Sequence, residues 1–168
     1  MKTDMRLTVH RLTACGIIAA IYAVLTIATS SFAYGPIQFR IAEALGVLPF
    51  FAPWTTWGVT LGCLLANLFS TVSALDIVIG TLATLIACLL TASCKSKFLA
   101  PLPPVIVNAV MIGAMLAGVL APETFWKSFA LFGLEVGAGE LAVMYTLGLA
   151  LIVFFRRRGL DERLRAIE

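Results

Sequence analysis

The sequence contains very little charge. Asp, Glu, Lys and Arg make up 12% of the 168 residues, whereas 61% of the residues are hydrophobic. Soluble domains are about 25% charged and about 45–50% apolar. This composition excludes an ordinary soluble domain and predicts an all-α integral membrane protein. A chain of this length has room for one bundle, so we expect residues 1–168 to form a single domain.

Residues that carry metal or nucleophilic chemistry are also scarce. His10 is the single histidine and lies in a basic tail, where it cannot form a metal site alone. Cys15, Cys63, Cys88 and Cys94 show no CxxC spacing, so we expect buried, reduced thiols. HExxH, GxSxG and Walker A patterns are absent as well. We therefore expect no catalytic residue, no metal and no cofactor in this chain, and any ATP must be hydrolysed by another chain.

Long apolar runs are abundant, by contrast. The run 12–33 has 22 residues, which exceeds the signal-peptide core of about 7–15 residues, so we interpret it as a retained first helix. The uncharged run 44–75 has 32 residues, too many for one crossing of about 20, and Pro49 and Pro53 interrupt it. Six spans result, at 12–33, 41–51, 57–73, 77–94, 98–122 and 128–155.

The distribution of positive charge predicts the orientation. With six spans, both termini lie on one side of the membrane. Ten of the 12 Lys and Arg residues then share that side: Lys2, Arg6, Arg11, Lys95, Lys97, Arg156, Arg157, Arg158, Arg163 and Arg165. Because cytoplasmic loops are enriched in Lys and Arg, we expect both termini in the cytoplasm.

Ionisable residues collect in the predicted outer half of the bundle. They are Glu43, Asp76, Glu123, Glu135, Glu140, Arg40 and Lys127, with a formal charge of −3. Glu140 falls about 18 Å into the sixth span, close to mid-membrane. Such groups are costly in a membrane and mark ligand or ion routes. We expect an acidic pocket open to the outside that suits a cation or a ligand rich in N–H donors.

Several of these residues also have purely structural interpretations. Arg40 and Glu43 are three residues apart and could simply pair, and Glu43 would suit the first turn of a helix. Asp76 begins an apolar run and would make a good N-cap. Asn67 and Asn108 lie inside spans, where either could join two helices by hydrogen bonds.

Small residues form two adjacent rows on the first span. One row is Cys15, Ala19 and Ala23, and the other is Gly16 and Ala20. Small residues let two helices approach closely in a membrane, so these rows predict either a docking face for a partner or packing inside the bundle. The third span repeats the pattern with Gly58, Gly62 and Ala66.

Six sequence blocks together resemble a known family. They are AAIYAVLT at 19–26, QFRIAEALGVLP at 38–49, GCLLANLFS at 62–70, DIVIGTLATL at 76–85, APLPPVIVNA at 100–109 and VGAGELAVMYTLGLAL at 136–151. With these blocks the chain resembles the substrate-binding S components of energy-coupling factor (ECF) vitamin transporters. Within them it is similar to the queuosine-precursor (QueT) type.

This resemblance implies a role for the chain. It would capture a 7-deazaguanine, such as 7-aminomethyl-7-deazaguanine or queuine, outside a bacterial plasma membrane. It would dock through Cys15, Gly16, Ala19, Ala20 and Ala23 on a coupling subunit that carries two ATPases, and only those ATPases would use ATP. The implied ligand-binding residues are Gln38, Arg40, Glu43, Asn67, Asp76, Asn108 and Glu140. The alternative is a stand-alone proton-coupled secondary transporter of a small cationic or N–H-rich metabolite, in which Glu140 would be used.

Overall fold

The structure, a computed structural model, describes residues 2–30, 39–70 and 73–167, and within these residues it contains helices and no strands. The helices are α1 (Lys2–Ala28), a 3₁₀ helix (Ile41–Phe50), α2 (Thr55–Asn67), α3 (Leu75–Ala92), α4 (Leu102–Leu120), a 3₁₀ turn (Pro122–Thr124), α5 (Phe125–Val143), a π-helical segment (Met144–Gly148), α6 (Leu149–Arg157) and α7 (Leu160–Ala166). The all-α prediction is therefore confirmed for this part of the chain.

Not all of these helices can cross a membrane alone. Within the described residues, four stretches are long and apolar enough to do so: Thr8–Ala28, Leu75–Ala92, Leu102–Leu120 and Pro122–Arg157. The 3₁₀ helix has 10 residues and α2 has 13, fewer than the roughly 20 that a crossing requires. The predicted break inside 44–75 is confirmed, whereas the count of six crossings remains a prediction.

The 3₁₀ helix lies at the centre of the bundle. Seven of its ten residues are buried, and it contacts α1, α2, α3 and the last spanning helix. Pro49 removes one backbone donor from its last turn. Runs of 3₁₀ helix longer than three or four residues are uncommon. The polar residues at its N-terminal end are therefore of interest.

Small residues bring the backbones of neighbouring helices into contact. A Cβ atom at Gly113 of α4 would lie 2.7 Å from the Cα atom of Gly133 in α5. A Cβ atom at Gly58 of α2 would lie 2.9 Å from the Cα atom of Cys15 in α1. Close packing of this kind drives helix association in lipid, where the hydrophobic effect between helices is absent.

α1 contacts the C-terminal end of the described chain through Arg11. Arg11 Nε donates a hydrogen bond to the carbonyl oxygen of Ile167 at 2.6 Å. At the C-terminal end of the 3₁₀ helix, the ring of Phe51 stacks on Phe155 with centroids 5.9 Å apart. The N-terminal end of the 3₁₀ helix lies away from this stacked pair, with Glu43 roughly 14 Å from Phe50 at about 2 Å per residue.

Candidate ligand-binding site

Six of the seven predicted ligand-binding residues lie in the described part of the chain, and all six are buried. They are Arg40, Glu43, Asn67, Asp76, Asn108 and Glu140, with exposed fractions between 0% and 4%. Gln38 lies outside the described residues. Charged side chains are almost never fully buried unless they are paired. The partners of each residue therefore indicate what the site can do.

Arg40 and Asp76 form a buried ion pair between the 3₁₀ helix and α3. Arg40 Nη2 lies 3.0 Å from Asp76 Oδ2, and the hydroxyl of Ser70 donates to the same oxygen at 2.7 Å. Asn67 Nδ2 donates to the backbone oxygen of Asp76 at 3.0 Å. The N-cap interpretation of Asp76 is wrong, because α3 begins after Ala74 with no side-chain cap. The buried carboxylate of Asp76 is instead compensated by the positive charge of Arg40.

Glu43 is held by a residue that the sequence analysis did not select. The hydroxyl of Tyr22 in α1 donates a hydrogen bond to Glu43 Oε1 at 2.5 Å, and Tyr22 is 0% exposed. A buried tyrosine usually finds a polar partner. The presence of a tyrosine within an apolar helix could therefore have identified Tyr22 from the sequence. In the structure, Glu43 is therefore hydrogen-bonded to Tyr22, and Arg40 forms its ion pair with Asp76.

Asn108 and Glu140 join α4 to α5. Asn108 Nδ2 donates to Glu140 Oε1 at 2.8 Å. The other carboxylate oxygen, Glu140 Oε2, is buried and has no hydrogen-bond partner among the described residues. Asn108 therefore links two helices, as the structural interpretation predicted, and it also orients a carboxylate whose second oxygen is available.

These pairs lie close enough to act on one another electrostatically. Glu43 interacts with Arg40 and Asp76, and Glu140 interacts with Glu43 and Arg40. Three carboxylates against one guanidinium give the cluster a formal charge of −2. The buried cluster is smaller than the predicted acidic pocket, because the remaining ionisable residues of the outer half are only half-buried or exposed: Glu135, Glu123 and Lys127.

Three buried acceptor oxygens in this region have no donor among the described residues. They are Asn67 Oδ1, Asp76 Oδ1 and Glu140 Oε2. A buried acceptor without a partner costs roughly 1–3 kcal/mol. The arrangement therefore favours a ligand that brings several N–H donors and positive charge.

The first row of predicted docking residues packs inside the bundle. Ala19 and Ala23 are 2% and 8% exposed, and Cys15 is half-buried. A Cβ atom added at Gly62 of α2 would lie 2.9 Å from the backbone oxygen of Ala19. This row is therefore engaged with α2, as the packing alternative predicted.

The second row remains open on the outside of α1. Gly16 and Ala20 are exposed, and a Cβ atom at Gly16 would meet nothing within 4 Å among the described residues apart from its chain neighbours and the backbone of its own helix. Gly16 also lines a groove of about 430 Å³ together with Trp54 and Trp57. Among the five predicted docking residues, Gly16 and Ala20 are the pair that a partner helix could reach directly.

Buried ionisable residues within apolar helices are rare in membrane proteins and mark ligand or ion routes. The family model of the QueT transporter matches residues 12–157, and the chain belongs to the QueT transporter family. The family resemblance inferred from the sequence blocks is therefore confirmed. Membership in a transporter family also supports the expectation that the chain is not an enzyme.

One curated relative is the queuosine precursor transporter QueT of Lactococcus lactis subsp. cremoris (strain MG1363). It is 40% identical to this chain over 72 residues, a region that spans 42% of each protein. No solved structure matches the chain.

Proposed function

We propose that this chain is the substrate-binding S component of an ECF-type ATP-driven importer that captures a queuosine precursor from outside the cell. Two findings support the proposal: membership of the QueT transporter family and a relative that is named as a queuosine precursor transporter. The ligand would be a 7-deazaguanine such as 7-aminomethyl-7-deazaguanine or queuine.

The observation that carries the ligand class is the surplus of buried acceptors. Glu140 Oε2, Asp76 Oδ1 and Asn67 Oδ1 lack donors within the described chain. A 7-deazaguanine offers N–H donors along its guanine-like edge and an amine on its 7-substituent. The edge would satisfy acceptors that otherwise remain unpaired, and the charged amine would complement a cluster with a formal charge of −2. A phosphate or a dicarboxylate would be repelled by the same cluster.

The energy for import would come from partner proteins. The sequence has no Walker A motif, so ATP would be hydrolysed by two ATPase subunits on a transmembrane coupling subunit. The proposed chain crosses a bacterial plasma membrane six times with both termini in the cytoplasm. The contact between Arg11 and Ile167 supports one part of this arrangement, which is that the beginning of the first helix and the C-terminal segment lie on the same side of the membrane.

Calorimetric titration of the purified chain tests the ligand. We expect 7-aminomethyl-7-deazaguanine or queuine to bind more tightly than adenine by about 100-fold or more. Adenine lacks the N1–H and 2-amino donors of the guanine edge, and each buried acceptor left unpaired costs roughly 1–3 kcal/mol. Equal affinity for adenine, or no binding of either deazaguanine, would contradict the proposed ligand class.

Uptake into liposomes separates the ECF proposal from the proton-coupled alternative. The chain alone should bind the ligand without accumulating it, and accumulation should require the coupling subunit, the ATPases and ATP. Accumulation by the chain alone under a proton gradient would favour the stand-alone carrier, in which Glu140 would exchange the proton.

A further inference from the structure

Tyr22 connects the packing of α1 to the ligand site. Its hydroxyl donates to Glu43 Oε1, while its side chain is fully buried among the 3₁₀ helix, α2 and α3. A Cβ atom at Gly62 would lie only 2.6 Å from the Cβ atom of Tyr22. The absence of a side chain at Gly62 is therefore what allows Tyr22 to approach α2 and reach Glu43.

The hydrogen bond from Tyr22 restricts the carboxylate of Glu43. The terminal torsion of a glutamate is broad and has no sharp minimum, so an unheld carboxylate samples many orientations. A donor held in a packed core selects one of them. A binding group that is already oriented loses less freedom when the ligand arrives, which raises affinity.

We propose that Tyr22 is a positioning residue of the ligand site. It orients the carboxylate of Glu43. Because Tyr22 packs against Gly62, the distance between α1 and α2 at Gly62 determines where its hydroxyl meets that carboxylate. A change in the α1–α2 contact at Gly62 that displaces Tyr22 would then alter ligand affinity without touching the ligand. The inference rests on the proposed function only in assuming that Glu43 faces a bound ligand.

The first test measures affinity for 7-aminomethyl-7-deazaguanine by calorimetry. Tyr22→Phe keeps the ring and removes the donor, so we expect affinity to fall about 5–20-fold, the size expected for one lost hydrogen bond. Gly62→Ala should cause a similar loss because the new methyl group displaces Tyr22. Gly58→Ala is the matched control: its Cβ atom would meet the Cα atom of Cys15 at 2.9 Å in the same α1–α2 interface, away from Tyr22. It should change affinity less than threefold.

A double variant then asks whether Gly62 acts through Tyr22. If it does, Tyr22→Phe combined with Gly62→Ala should bind no more weakly than the weaker single variant, because the same hydrogen bond is lost once. If the affinity losses of the two single variants instead multiply in the double variant, the proposal is overturned. An unchanged affinity in Tyr22→Phe, or a loss in Gly58→Ala equal to that in Gly62→Ala, would also overturn it. Tyr22→Phe alone decides the matter if the glycine variants fail to fold.

A measurement without ligand separates this inference from the proposed function. The chain has three tyrosines, so ¹⁹F NMR of 3-fluorotyrosine-labelled protein gives few signals, and Tyr22→Phe assigns the relevant one. Glu43→Gln and Gly62→Ala should shift that signal, whereas Gly58→Ala should not. If these shifts occur but no deazaguanine binds, the ligand proposal fails and the Tyr22–Glu43 linkage stands. If Gly62→Ala leaves the signal unmoved, the linkage fails.

Discussion

Glu140 places a carboxyl group deep in an apolar bundle with only one of its two oxygens hydrogen-bonded within the described chain. Asn108 satisfies Oε1, and Oε2 is buried without a partner in the described structure. Natural proteins usually satisfy such groups, so an exception in a transporter is a candidate ligand contact. Asn108 fixes the orientation of the carboxylate before a ligand arrives.

Glu140→Gln tests this contact directly. The substitution keeps the size of the side chain and removes the charge, and a hydrogen bond to a charged group contributes roughly 1.5–3 kcal/mol. We therefore expect deazaguanine affinity in calorimetry to fall about 10–150-fold, with Glu43→Gln acting similarly. Glu123→Gln, at an exposed carboxylate, serves as the control. Unchanged affinity in the folded Glu140 and Glu43 variants would rule out the carboxylate site.

The ion pair between Arg40 and Asp76 is expected to affect the stability of the folded protein. Removing one partner of a buried pair leaves a charge without compensation and typically costs about 3–5 kcal/mol. Asp76→Asn should therefore lower the thermal unfolding midpoint of the detergent-solubilised protein markedly. Arg40→Met combined with Asp76→Leu should recover most of the loss, since apolar residues of similar volume can replace such a pair. A midpoint unchanged by Asp76→Asn would show that the pair is not stabilising.

Among the elements, α1 has two faces with different tasks. The inner face carries Ala19, Tyr22 and Ala23, which are buried against the bundle. The outer face exposes Gly16 and Ala20. An external partner could approach the outer face closely without disturbing the ligand site. The docking surface that we now propose is thus the Gly16–Ala20 row.

Bulky substitutions distinguish the two faces. Gly16→Trp or Ala20→Trp should leave ligand affinity within about threefold, a difference under about 0.7 kcal/mol, and should abolish ATP-dependent uptake by the reconstituted complex. Ile21→Trp is the control on an exposed position, about 100° around the helix from Ala20, and should preserve both activities. Ala19→Trp should reduce both, because that residue packs internally. Normal uptake in Ala20→Trp would show that the partner docks elsewhere.

At the scale of the whole molecule, the charge distribution gives a testable orientation. Both chain ends and the loop at 95–97 should face the cytoplasm, and the loop at 121–124 should face outside. A membrane-impermeant maleimide should label Glu123→Cys in intact cells and Ser96→Cys only after permeabilisation. The unsubstituted chain provides the background from its four native cysteines. The reverse labelling pattern would contradict the predicted topology.

Local patterns were sufficient for much of the fold. The apolar runs located the helical segments, and the prolines located the break between the 3₁₀ helix and α2, because both signals act within a few residues. The sequence did not reveal that residues 41–50 form a 3₁₀ helix. That geometry is uncommon at such length, and it occurs here in a segment packed against helices on several sides.

The sequence by itself determined which residues are costly to bury, because charge and polarity are properties of each side chain. Arg40, Glu43, Asp76 and Glu140 could be selected on that basis. Only the tertiary structure decided the partners, since Tyr22 and Glu43 are 21 residues apart and Asn108 and Glu140 are 32 apart. It also decided which of the two small-residue rows on α1 is buried. Both rows have the composition that permits close packing, and the positions of α2 and the 3₁₀ helix against α1 distinguish them.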